Sequence, residues 1–206
     1  MISAHQRQLR DRFLSAPVML TPDPWRPLFG TYGNGPGSRP SHVPIGGLLG
    51  VGFALDPVTG EDLLMIVSHQ GRGVFDTSTG VRIARDPNPD ASMPTGPDLS
   101  CPGLGPLAGT HIRIAGLFGG GLHTTTDDGW TTEIVSPDWP YHRVLLSADG
   151  GLCDGPPGER WWHIFHADYS ELRAAGFSPS GRTLAVATSS DITLWTRDLS
   201  PAIVRP

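Results

Sequence analysis

Between Gly176 and Arg197 the chain reads GFSPSGRTLAVATSSDITLWTR, and hydrophobic positions recur there with a period of two. Leu184, Val186 and Thr188 alternate with Thr183, Ala185 and Ala187, while Ile192, Leu194 and Trp195 carry the next run. This alternation sends successive side chains to opposite faces of a strand. Ser180-Gly181 and Ser189-Ser190-Asp191 punctuate the runs as turns, because Gly accepts positive φ without steric cost. The segment thus predicts the end of one strand and two more in antiparallel succession. Upstream, Leu63–Val67 predicts a buried strand, His69-Gln70-Gly71 a turn, Gly73-Val74-Phe75 a strand and Val81–Arg85 an alternating strand. Thr77–Gly80 turns the chain between the last two, with Asp76 placed to accept backbone N–H groups. His142–Ser147 and Arg160–Phe165 predict two further strands. The helical period occurs at Ile2–Leu14, where Ile2, Leu9 and Phe13 fall near one face and Arg7, Arg10 and Arg12 on others, up to Pro17.

The strand pattern repeats. Ile112–Ile134 laid on Leu63–Arg85 places Gly120 on Gly71 and Gly129 on Gly80. Leu184–Thr196 laid on Leu64–Asp76 places Trp195 on Phe75. Repeated strand–turn–strand units cannot bury their faces singly and must stack on neighbours. The last unit has three strands, and Pro17–Leu20 or Leu28–Tyr32 is expected to supply the fourth from the start of the chain, covering an open edge. Residues 86–106, with frequent Pro and no apolar period, read as an insertion, either functional or solvent-exposed.

GFSPSG followed by a strand and a second strand ending near Trp195 resembles one blade of a WD-repeat-like β-propeller. Thr125-Thr126-Asp127-Asp128-Gly129-Trp130-Thr131 resembles the Asp-box turn, S/T-x-D-x-G-x-T, of sialidases and related propellers, with Thr132 in place of the closing Trp. In that family the box is a structural hairpin remote from the active site, so the resemblance implies architecture and no sialidase chemistry. The expected fold is all-β: a small propeller of four blades, five being the alternative count, preceded by a short N-terminal helix. Residues 1–16 form the helical segment and residues 17–206 one domain.

Composition narrows the functional classes. All fifteen basic residues are Arg, as expected of a high-GC bacterial genome, and the net charge of −5 disfavours a nucleic-acid partner. Cys101 and Cys153 lack the close pairing of a metal signature and, with no signal peptide evident, read as reduced thiols of a cytoplasmic protein. No run approaches the roughly 20 apolar residues of a membrane span.

Catalytic signatures are weak. Gly119-Gly120-Gly121 lacks the lysine and helix of a phosphate loop, and Ser178 and Ser180 lack a GxSxG elbow. His163 and His166 are separated by three residues, which in a regular strand sends them to opposite faces. The leading expectation is a non-catalytic protein-binding module, in a narrower version an inhibitor or immunity-type protein, with no cofactor or metal. Its binding residues are expected at the turns His69-Gln70, Phe118 and Ser189-Ser190, which should share a face, and at Trp130, Trp161 and Trp162. The alternative is a hydrolase or lyase drawing on His123, Asp127, His163, His166 and Asp168. A carbohydrate-binding lectin using the Trp residues is the third reading.

Overall fold

A computed structural model describes residues 3–33 and 38–198 of the chain. The alternating runs form three antiparallel meanders. The first contains β1 (Leu48–Leu55), β2 (Asp62–Ser68), β3 (Gly71–Asp76) and β4 (Arg82–Asp86) in sequential order, with Ala115–Gly116 added along the free side of β1. The middle sheet is β5 (Trp130–Val135), β6 (His142–Ala148) and β7 (Trp161–Ala167). The last sheet is β8 (Leu172–Phe177), β9 (Thr183–Thr188) and β10 (Asp191–Thr196).

Turn chemistry explains the connections. Asp56 Oδ1 accepts the N–H groups of Val58 and Thr59, and Asp76 Oδ1 those of Ser78 and Thr79. Gly60 and Gly80 close these two Asp-x-x-Thr-Gly turns, each at a φ of 73°.

The alignment of β2–β3 with β9–β10 holds in register: Leu64 lies opposite Phe75, and Leu184 opposite Trp195. The expected copy at Ile112–Ile134 does not form a sheet of its own. His111–Arg113 pairs with Ser100–Pro102, Ala115–Gly116 joins β1, and Trp130–Val135 opens the middle sheet. Among the described residues the strand–turn–strand pattern is therefore carried by the three meanders, with two two-stranded ladders beside them, five sheets in all. The middle sheet also departs from the other two in direction. β5 starts beside the Gly181 turn, where Thr126 would contact a Cβ at Gly181, whereas β8 ends there.

Residues 86–106 are not simply an exposed insertion. Cys101 and Leu107 are buried with Ile112 and Ile114 against Leu63, Met65, Val67 and Val74 of the first sheet. Their apolar positions lack a period because they belong to one short strand and a 3-10 turn (Gly105–Leu107), each too short to show one.

The start of the chain closes the last sheet. Arg26–Pro27 pairs with Trp195–Thr196, and the Leu28 N–H donates to Leu194 O at 2.9 Å. After an excursion that includes the ladder of Thr31–Tyr32 with Arg39–Pro40, Val43–Pro44 resumes alongside Asp191–Ile192. The outer strand is thus Arg26–Leu28 and Val43–Pro44, interrupted by a loop. Pro17–Leu20 does not take this place; Met19 N–H donates instead to His163 O on the middle sheet.

The helix α1 (Ala4–Ser15) begins at a Ser3–Gln6 capping box, and Phe13 packs edge-on to Trp161 at 5.6 Å. Ile2, expected on its apolar face, lies outside the described residues, as does the segment 199–206.

Candidate functional site

A groove of about 370 Å³ lies between the first sheet and the resumed outer strand of the last. Its walls come from β3 and β4 on one side and Val43–Gly46 on the other, with Ile66 and Phe75 supplying apolar surface. Regular alternation along β4 would put Arg82 and Arg85 on opposite faces. A β-bulge between Val74 and Phe75 cancels that: Arg85 lies opposite Gly73 and Arg82 opposite Phe75, so both arginines share the groove face.

Gly71 and Gly73 keep this face open. Gly71 has a φ of 100°, and a Cβ there would collide with Asp86 O. A Cβ on Gly73 would stand 3.2 Å from Arg82 Cδ and 3.3 Å from Phe75 Cε2. Arg72 at the margin is occupied elsewhere: it pairs with Asp86 at 3.2 Å and donates to Pro102 O. Arg82 and Arg85 are exposed and have no carboxylate partner among the described residues.

The groove opens at a rim where three turns meet. His69 N–H donates to Gly47 O (3.0 Å), Leu48 N–H to Ser189 O (3.0 Å), Ile45 N–H to Ser190 O (2.7 Å) and Leu117 N–H to Leu49 O (2.8 Å). The segment 45–49 therefore holds His69, Gln70, Phe118, Ser189 and Ser190 at the same end of the strands, with Gln70 lining the groove. His69, Gln70, Phe118 and Ser190 are exposed. Ser170, Ser189 and Ser190 join their hydroxyls at 2.9 Å, and Ser190 and Tyr169 both donate to Asp191 Oδ2.

The three Trp residues are not at this rim. Trp161 has no exposed surface and offers none to a ligand, because its strand face receives α1. Trp130 and Trp162 are half-buried, 6.0 Å apart, and pack on the core that contains Trp25. Trp25, missed in the sequence reading, is the centre of that core: it lies 5.4 Å from Phe177 and 6.1 Å from Trp130.

The residues considered for hydrolase or lyase chemistry do not gather into one constellation. A bulge opposite Val144–Leu145 brings the His163 and His166 rings to 5.9 Å, undoing the expected separation. His163 is nevertheless buried, with Nδ1 2.9 Å from Ala16 O and Nε2 3.1 Å from Phe165 O. Burial holds its pKa down at about 4, Arg143 and His166 adding to this against the hydrogen bond with Ala16. His166 Nδ1 faces Asp168 at 3.8 Å, while His123 bridges to Phe177 on the far sheet. Among the described residues no group of three or more His, Cys, Asp or Glu is arranged to hold a metal ion.

The opposite end of the strands has a larger cavity, about 700 Å³, but most of its charge is consumed internally. Asp62 is buried and accepts from Ser178 Oγ at 2.7 Å and from Ser180 Oγ, tying the first sheet to the last. Glu61 pairs with Arg182 at 3.0 Å. Arg197 forks onto Asp128, donates to Gly181 O at 2.8 Å and stacks 4.7 Å from the Trp25 ring. In the Asp-box-like turn it is therefore Asp128, not Asp127, that is fixed, with Thr126 Oγ1 donating to it at 2.7 Å. Arg197 holds the Asp128 pKa down at about 2.

No helix among the described residues is long and apolar enough to cross a membrane. Comparison with protein-family models and with curated protein sequences gives no match for this chain.

Proposed function

We propose that this protein is a non-catalytic binding module: a propeller-like all-β scaffold that presents one rim of turns to a protein partner. The observation that carries this reading is the convergence of the His69-Gln70, Phe118 and Ser189-Ser190 turns on the backbone of residues 45–49. A surface assembled from separate sheets and pinned by backbone hydrogen bonds is preorganised, so little ordering cost falls on binding. Phe118 and Leu117, each nearly half exposed, supply apolar contact area beside polar groups, the mixture that interfaces use. The propeller-like description draws support from the shared register of β2–β3 and β9–β10 and from completion of the last sheet by the start of the chain.

Affinity co-purification from the source cell, run with the wild type and with a Gln70→Ala/Phe118→Ala variant, tests the reading. We expect one reproducible partner whose recovery falls at least tenfold with the variant while the thermal transition is unchanged. Absence of any reproducible partner, or recovery indifferent to both substitutions, overturns it.

A further inference from the structure

We propose that the groove beneath the rim recognises an extended acidic segment of a partner protein, with carboxylates at alternate positions seated on Arg82 and Arg85. This rests on the protein-binding reading above and specifies the chemistry of the partner.

Arg72, Arg143, Arg160, Arg173, Arg182 and Arg197 pair with carboxylates of the chain. Arg82 and Arg85, like Arg26, Arg39 and Arg113, have no carboxylate partner among the described residues, but these two line one cavity together, because a bulge that interrupts the β3–β4 ladder turns both toward it.

Their spacing sets the ligand. They lie opposite Phe75 and Gly73, two residues apart on a strand, which corresponds to about 7 Å along the chain. An extended peptide repeats a side chain on one face at the same interval. Carboxylates at positions i and i+2 therefore meet the two guanidinium groups together, each able to accept a bidentate pair of hydrogen bonds. The Gly71 and Gly73 backbone leaves depth for those side chains, and Ile66, Phe75 and Val43 offer an apolar wall to the ligand's hydrocarbon portions. At about 370 Å³ the groove is near the lower end of ligand-site volumes, which run from about 300 to 1,000 Å³. It accommodates a strand of peptide, not a folded element.

Fluorescence anisotropy with three labelled octapeptides on a common Ser/Val background tests this: one with a Glu-Val-Glu core, one with Glu-Glu-Val and one with Gln-Val-Gln. We expect saturable binding of the Glu-Val-Glu peptide, at least tenfold tighter than either other peptide, and weakening as salt is raised. Arg82→Gln and Arg85→Gln should each weaken it about tenfold, the effect of losing one charge-assisted pair. The double variant should abolish the preference for Glu-Val-Glu. Both side chains are exposed, so these variants should retain the wild-type thermal transition. No saturable binding of the Glu-Val-Glu peptide, equal affinity for all three, or a preference that survives in the double variant overturns the proposal. If the double variant still recovers the rim-dependent partner from cells, the groove inference fails while the binding-module reading stands. If no partner is recovered from cells at all, the module reading fails.

Discussion

Arg197 and Asp62 show how single side chains fasten sheets that share no backbone ladder. Arg197 is buried, and its guanidinium satisfies a carboxylate, a carbonyl and an aromatic face at once. Removing Asp128 leaves that cation without its anionic partner, and Asp128→Asn should destabilise the fold by about 1–3 kcal/mol, measured by urea denaturation. The acid limb provides a second check. The Asp128 pKa of about 2 lies below its ordinary value of 3.8, so its contribution is present above pH 4 and fades as pH falls toward 2. In Asp128→Asn the stability–pH curve should flatten over that window. Asp62→Ala should cost about 1–3 kcal/mol as well, because the Ser178 and Ser180 hydroxyls lose their acceptor. An unchanged midpoint would mean that water replaces the carboxylate without loss.

Elements dock through comparably specific contacts. Phe13 of α1 meets Trp161, Arg12 lies 4.8 Å over the same ring, and His163 contacts the carbonyl of Ala16 just beyond the helix. Trp161→Ala should cost about 3–5 kcal/mol and release α1, seen as faster proteolytic cleavage before Met19. His163 gives this junction a pH dependence. Its folded pKa of about 4 lies below the ordinary 6.5, so the unfolded chain takes up the proton first as pH falls. Stability should be full above pH 6.5 and decline between 6.5 and 4. A His163→Asn variant, although weaker overall, should show a flatter profile there. At the same scale the alternation of VRIAR was legible in the sequence, but the face that each arginine takes was not. One extra residue in a strand reverses the alternation beyond it, and neither bulge, at Val74–Phe75 or opposite Val144–Leu145, is marked by Gly or Pro.

For the whole molecule, the start of the chain completes the sheet at its end. Arg26–Leu28 and Val43–Pro44 cover β10, which would otherwise present unpaired backbone groups. A chain beginning at Phe29 loses half of this cover together with Trp25. It should self-associate more than the full chain in size-exclusion chromatography with light scattering. Equal behaviour of the two would show that the outer strand is dispensable. The sequence indicated that the beginning closes the end, but placed the strand at Pro17–Leu20 or Leu28–Tyr32. The observed pairing is split by an excursion and includes two prolines, so no continuous apolar run announces it.

Local order in this protein is written locally. The positions of the long strands, the Asp-x-x-Thr-Gly turn at Asp76 and the register of β9–β10 follow from alternation and from the few residues that tolerate tight turns, both readable over a handful of positions. Tertiary structure alone decided which strands join which sheet, that residues 100–107 belong to the core, and that Trp161 is buried. It alone also turned Arg82 and Arg85 toward one groove. These outcomes depend on contacts between residues far apart in sequence and on bulges that reset a strand's faces, and no local pattern encodes either.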